Sequence, residues 1–194
     1  MGSSSDASLL PAQYQDDGSP GTFEIADPPY PGLASKYYRR EKSFAGEVDH
    51  SALLDRLLAS SLTGWALCTS PEGLRRLISR CPPDVDVGIW AKPVGPQPGR
   101  RRFWECVLVR TSRPRPLATR DFLVALPARS GGTLPGRKPI AYCTWLYALL
   151  GMRPGDSLID TYPGTGIFTR AWAYLSARAL GAQSSSSDTF DSEA

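Results

Sequence analysis

Between about residue 20 and residue 182, short apolar runs alternate with stretches of helical periodicity. That alternation restricts the chain to an α/β architecture, a sheet flanked by helices. Strand-like runs fall near residues 22–26, 64–69, 85–91, 103–110 and 157–160, and helical patterns near 49–60, 71–80, 140–151 and from Ile167 through Leu175. The first helical segment offers Asp49 or Ser51 as a cap and Leu53, Leu54, Leu57 and Leu58 as a buried stripe. The second opens Ser70-Pro71-Glu72, with cap, proline and early acid in the preferred order. Gly151 is placed to end the third. Residues 111–138 read as an elaborated loop around a short apolar run at 122–126. There is no internal repeat.

The ends differ from the body. Residues 1–20 are rich in Ser, Asp, Gly, Pro and Gln, and residues 182–194 form a Ser-rich, acidic tail, so both are expected to be disordered, with one domain at 21–181. A length of 194 residues, 41% of them hydrophobic and 21% charged, fits a single soluble domain with a sizeable core. No apolar run approaches the roughly 20 residues that span a bilayer, and the first residues lack a signal-peptide pattern. The expectation is a cytoplasmic protein with no membrane partner. Cys68, Cys81, Cys106 and Cys143 are widely spaced and His50 is the single histidine, which argues against zinc-ligand spacing and a Cys-His dyad. The thiols are expected to be reduced and structural, no metal site is expected, and His50 reads as a surface or capping residue.

The formal net charge of +3 conceals an asymmetry. Asp6, Asp16 and Asp17 near one end and Asp188, Asp191 and Glu193 near the other leave the body between them strongly basic, as suits a polyanionic partner. The arginines are dense from Arg100 to Arg120. Arg100, Arg101, Arg102, Arg113, Arg115 and Arg120 are the candidate phosphate contacts.

Two turns carry chemistry. The first strand runs into Asp27-Pro28-Pro29-Tyr30. A carboxylate at a strand end accepts a hydrogen bond from an amino group, prolines stiffen the turn while their carbonyls remain acceptors, and the adjacent ring can stack on a base lifted out of its helix. The last strand runs into Asp160-Thr161-Tyr162-Pro163-Gly164-Thr165-Gly166 and then a helix. Strand, glycine turn and helix let a backbone approach a cofactor with amide donors facing it. The segment is neither a P-loop nor a G-x-G-x-x-G fingerprint.

In this order the two turns resemble those of the permuted, class β, S-adenosylmethionine-dependent DNA amino-methyltransferases, which modify adenine N6 or cytosine N4. The likeness covers roughly residues 22–180. It includes Lys138-Pro139 heading the helix before the cofactor strand, the phrase from Leu149 to Asp160 with Arg153-Pro154-Gly155-Asp156, and Ile89 to Pro93 and Trp104 to Val109 as middle strands. The resemblance implies a Rossmann-like methyltransferase sheet and S-adenosylmethionine as cofactor. It assigns catalysis to Asp27, Pro28, Pro29 and Tyr30, with Asp27 and the first proline carbonyl holding the target amine and Tyr30 stacking on the flipped base. Cofactor binding falls to Lys138, Pro139, Asp160, Tyr162, Pro163, Gly164, Thr165 and Gly166.

Asp at the first position of the tetrapeptide tilts the resemblance toward adenine N6 in DNA. RNA adenine methyltransferases of the related type usually carry Trp where this chain has Tyr30. The chain also departs from the family. No further strand with a ribose-binding acid follows the cofactor helix, so the fold is expected to be abbreviated on the cofactor side and to be completed by a second copy or a partner subunit. A non-catalytic nucleic-acid-binding scaffold is the competing reading from another class.

Overall fold

The computed structural model of the chain describes residues 18–37, 39, 46–93, 103–128 and 137–187, with 36, 37 and 180–187 described by their backbone alone. Six strands form one sheet: β1 (Thr22–Ala26), β2 (Gly64–Thr69), β3 (Asp86–Ala91), β4 (Trp104–Thr111), β5 (Phe122–Val124) and β6 (Ser157–Asp160), in the order β5-β3-β4-β2-β1-β6. Every strand points the same way except β4, which runs antiparallel between β2 and β3. The helices are α1 (Ala34–Tyr37), α2 (His50–Leu58), α3 (Pro71–Leu77), α4 (Ile140–Leu150) and α5 (Ile167–Ser187).

Alternation along β1 sorts the core into two layers. Phe23 and Ile25 face a cluster completed by Tyr142, Leu146 and Leu150 of α4 and by Phe168 and Ala171 of α5. Ala26, on the opposite face, joins Leu53, Leu54 and Leu57 of α2 and Leu77 of α3. With helices on both faces, β2 is buried at all of its positions, and its sequence accordingly reads as a continuous apolar run.

Local chemistry sets the helix ends. The Asp49 side chain accepts from the Ser51 and Ala52 amides at 2.9 and 3.0 Å, so Asp49 is the cap of α2. Ser70 caps α3 by accepting from the Gly73 amide at 3.2 Å. Gly151 ends α4 in the left-handed conformation, with φ 67°, where a Cβ would come within 2.8 Å of the Pro114 carbonyl. The four thiols are free, three of them buried.

Three sequence expectations need revision. Phe122–Val124, read as part of a loop, is a short edge strand parallel to β3, and the exposure of Phe122 and Val124 removed the alternation that marks a strand. The second helix leaves α geometry at Leu77 and finishes as a 3₁₀ turn, Ile78–Arg80. The last helix continues to Ser187, past position 181 where the composition turns to that of a polar tail. Residues 1–17 and 188–194 lie outside the described residues.

A fourth correction concerns charge. Arg113, expected to hold phosphate, has a side chain only 6% exposed and pairs at 2.6 Å with Asp156, which is fully buried. Its second nitrogen donates to the Ser19 carbonyl at 2.5 Å, and the guanidinium lies over the Phe23 ring. Asp156 in turn accepts from the Gly21 and Arg153 amides at 2.7 and 2.8 Å. The pair thus fastens the entries of β1 and β6 to the exit of β4. Removing one member strands a buried charge, so Arg113→Met is expected to lower the unfolding free energy by about 3–5 kcal/mol. Urea denaturation reads this directly, and a loss below about 1 kcal/mol would return Arg113 to the surface class.

Candidate active site

Parallel pairing brings the two turns side by side. Ile25 of β1 is in register with Asp160 of β6, and the Thr161 amide continues the ladder to the Ile25 carbonyl at 3.1 Å. Asp27-Pro28-Pro29-Tyr30 and the Thr161–Gly166 turn therefore leave the C-terminal ends of adjacent strands, which lie roughly 4.8 Å apart. From β1 the chain moves to one side through β2, and it returns to the other side only at β6. This is a topological switch point, where open α/β sheets bind their ligands.

On the β1 side a buried ammonium organises the site. Lys138, 4% exposed, donates to both carboxylate oxygens of Asp27, at 2.8 and 2.7 Å. Its Nζ is also 3.6 Å from Glu105, whose carboxylate pairs with Lys92. Glu105 accepts from the Tyr30 hydroxyl at 2.7 Å. Burial alone would depress the Lys138 pKa, but Asp27 and Glu105 reverse the sign and hold it raised. Burial would likewise raise Glu105, yet Lys138 and Lys92 outweigh it and leave its carboxyl below the usual range. Burial, with Glu105 and Asp27 behind it, pushes the Tyr30 phenol well up, so its O–H remains a donor at neutral pH.

The turn is fixed from beneath by His50, which is 7% exposed rather than on the surface. Its Nε2 lies 3.0 Å from the Pro29 carbonyl, and since a carbonyl only accepts, Nε2 carries the proton. Burial lowers the imidazole pKa and keeps it neutral. The carbonyl taken in this way is the second proline's, not the one that the resemblance assigns to an amine.

On the β6 side, Asp160 Oδ2 accepts from the Thr169 hydroxyl at 3.1 Å, while Oδ1 is buried with no hydrogen-bond partner. Burial raises its pKa, with a smaller contribution from the charge of Asp27, against the Thr169 bond. Gly164 and Gly166 both have positive φ, and a Cβ on Gly166 would meet nothing within 4 Å. The turn is open above its backbone and passes into α5 through the Arg170 amide, which donates to the Gly166 carbonyl at 3.1 Å. Thr161 is bonded to Glu24, a buried acid of β1 that is paired with Arg56 of α2. Tyr162 packs on the α2 side of the sheet, and its phenol pKa is raised by burial.

The structure thus gathers Asp27, Pro28, Pro29, Tyr30, Lys138, Pro139, Asp160, Tyr162, Pro163, Gly164, Thr165 and Gly166 at one end of the sheet. Lys138, expected on the cofactor side, has its ammonium against the Asp27 carboxylate. Sequence reading gave no site role to Lys92 or Glu105, and it gave His50 only a surface or capping one. The available signal was a lone acid inside an apolar strand, Phe103-Trp104-Glu105-Cys106-Val107-Leu108.

The described part of the basic stretch does not converge on the site. Arg110 lies near the end of β4 that pairs with the start of β2, and Arg113 and Arg115 follow it, at the opposite end of the sheet from Asp27. Arg115 bonds the Leu149 carbonyl at 2.8 Å and Asp86 at 2.6 Å, and Arg120 precedes β5 with its carbonyl accepting from Trp145 at 2.8 Å. Arg100, Arg101 and Arg102 lie outside the described residues. Among the described residues no helix is long and apolar enough to cross a membrane, and no cluster of potential metal ligands occurs.

A mixed six-stranded sheet covered by helices, with a carboxylate turn and a glycine turn leaving adjacent strand ends at its switch point, is a Rossmann-like fold. No protein-family model matches the chain, and no curated protein does. Among solved structures it is similar to the crystal structure of M1.HpyAVI in complex with SAM, with a TM-score of 0.51 and 16% sequence identity over 81% of this chain and 80% of that one. At that identity the likeness is one of fold.

Glu105 contributes stability that is complete above the ordinary carboxylate range and is lost as pH falls through its depressed folded-state value. Lys138→Met removes one of the two cations that offset its burial. Carboxyl NMR of the variant is expected to show Glu105 titrating at higher pH than in the wild type. Urea denaturation should show a loss of about 3 kcal/mol, from leaving Asp27 and Glu105 without the buried cation. An unmoved Glu105 titration would mean that Lys138 does not act on it.

Proposed function

We propose that this chain transfers a methyl group from S-adenosylmethionine to the exocyclic amine of a base flipped out of DNA, with adenine N6 as the acceptor. The observation that carries the reading is the pair of turns on adjacent strand ends, one presenting Asp27 and the other presenting a buried, unpartnered oxygen of Asp160. The donor set fits such a cofactor. Asp160 Oδ1 can accept from its ammonium group, and the open backbone at Gly164 and Gly166 with the start of α5 can receive its carboxylate. When bound, the cofactor supplies a methyl group on a positively charged sulfur, already a good electrophile.

The residues of the chain position and polarise. Asp27 and the Pro28 carbonyl accept hydrogen bonds from the amine, which localises its lone pair and stabilises the charge that develops on nitrogen. To do so Asp27 must share its oxygens with Lys138 or release them, and Glu105, 3.6 Å from that ammonium, is the alternative acceptor. Glu105 also holds the Tyr30 hydroxyl, so the ring that stacks on the flipped base is tied to the same ion network. Asp27 need not take the proton, which can leave after transfer. Asp at this position favours adenine, and Tyr30 rather than Trp favours DNA over RNA.

The edge position of β6 supports an abbreviated cofactor side. Among the described residues β6 is the outermost strand, so the face of Asp160 turned away from β1 has no further strand beside it. Completion by a second copy or a partner subunit follows as part of the proposal.

Asp27→Asn is expected to abolish transfer of label from S-adenosyl[methyl-³H]methionine to adenine-containing duplex DNA while leaving cofactor affinity, measured by calorimetry, within about twofold. Parallel assays on single-stranded DNA and RNA separate the substrates. Wild-type transfer by the Asn variant would overturn the role of Asp27, and the absence of transfer to any of the three by the wild type would leave the scaffold reading.

A further inference from the structure

Of the arginines counted in the sequence as the nucleic-acid contact, Arg113 and Arg115 are committed to ion pairs, and a different cationic surface lies beside the site. A groove runs between the start of α4 and the first turns of α5, with Ile140, Ile167 and Ala171 in its floor and Arg137, Arg170 and Tyr174 on its rim. Both of its ends touch the proposed active site through the backbone. Arg137 immediately precedes Lys138, whose ammonium holds Asp27. Arg170 is the residue whose amide closes the Gly166 turn.

The charge of this surface is one-sided. Neither α4 nor α5 contains an acidic residue. The acids between Arg137 and Ser187 are Asp156, buried against Arg113, and Asp160, inside the crevice. Neither Arg137 nor Arg170 has a side-chain partner among the described residues, and both are exposed. Tyr174 is 60% exposed, and its hydroxyl is held at 2.9 Å by Arg178, whose guanidinium lies over the ring. Exposed guanidiniums around an apolar floor, with an aromatic face beside them, match the alternation of phosphate with sugar and base along a nucleic-acid strand.

We propose that the α4–α5 groove is the DNA-docking surface of this protein, receiving the strand that continues from the flipped nucleotide, with Arg137 and Arg170 on its phosphates and Tyr174 against a neighbouring sugar or base. This rests on the methyl-transfer reading for which strand it is, but not for whether the groove binds DNA. It also replaces the segment from Arg113 to Arg120 as the basic contact, since that segment lies away from Asp27.

The test is fluorescence anisotropy with a short adenine-containing duplex across a salt series, on the full chain. The Arg137→Ala/Arg170→Ala variant is expected to lose about tenfold in affinity per arginine near 0.1 M salt and to lower the salt slope by about one for each. Arg170→Lys should retain most of the affinity. Arg76→Ala, an exposed arginine on α3 across the sheet, should change nothing. Calorimetry should show unchanged S-adenosylmethionine binding by the double variant. Wild-type affinity and slope in that variant overturn the proposal, as does an equal loss in Arg76→Ala or a loss confined to cofactor binding. A wild type that binds DNA through these arginines but transfers no methyl group defeats the reaction and leaves the groove standing.

Discussion

One buried ammonium holds the working end of this protein together. Lys138 sits between Asp27 and Glu105, and Glu105 is shared with Lys92, so two cations and two carboxylates close into a cluster with no net charge. Each of these groups alone would be costly away from water. Together they let the ends of β1, β3 and β4 and the start of α4 meet in one small volume, and Tyr30 joins them through its hydroxyl. The carboxylate that faces the crevice is thereby held at both oxygens before any ligand arrives.

The opposite end of the sheet is tied by the same means. Arg113 and Asp156 are buried together, and the carboxylate gathers the amides of Gly21 and Arg153 while the guanidinium takes the Ser19 carbonyl. Between the two knots lie strands whose side chains pack against two helical layers. Glu24 adds a third tie, from β1 to Arg56 of α2 and Thr161 of the glycine turn, and so connects that turn to the body of the fold. The crevice is therefore positioned by charged groups that are all paired, and the orphaned oxygen of Asp160 stands out against them.

What the sequence made legible was local. Asp27 to Tyr30 and Asp160 to Gly166 announce themselves because proline and glycine have few structural alternatives after a strand, and the helix caps at Asp49, Ser70 and Gly151 follow from short-range chemistry. What it hid was pairing over distance. Residues 92, 105 and 138 meet only because β4 runs antiparallel and α4 returns to the site, and nothing in their spacing says so. His50 passed for a surface residue because its partner, the Pro29 carbonyl, is a backbone atom. The arginine-rich stretch misled in the opposite sense, since a count of charges does not distinguish Arg113, sealed against Asp156, from Arg170, open to solvent. Phe122–Val124 was missed because an exposed three-residue edge strand carries too little alternation to register.

Among the described residues, the strand that carries Asp160 is bonded to the sheet through β1 alone. A strand with a single neighbour opens more readily than one held on both sides. Its hold on the body of the fold therefore depends on β1, on the Thr161–Glu24 bond and on the packing of α5. Any ligand that gripped the ends of both β1 and β6 would favour the paired margin over the opened one, and would stabilise the sheet edge by the same free energy.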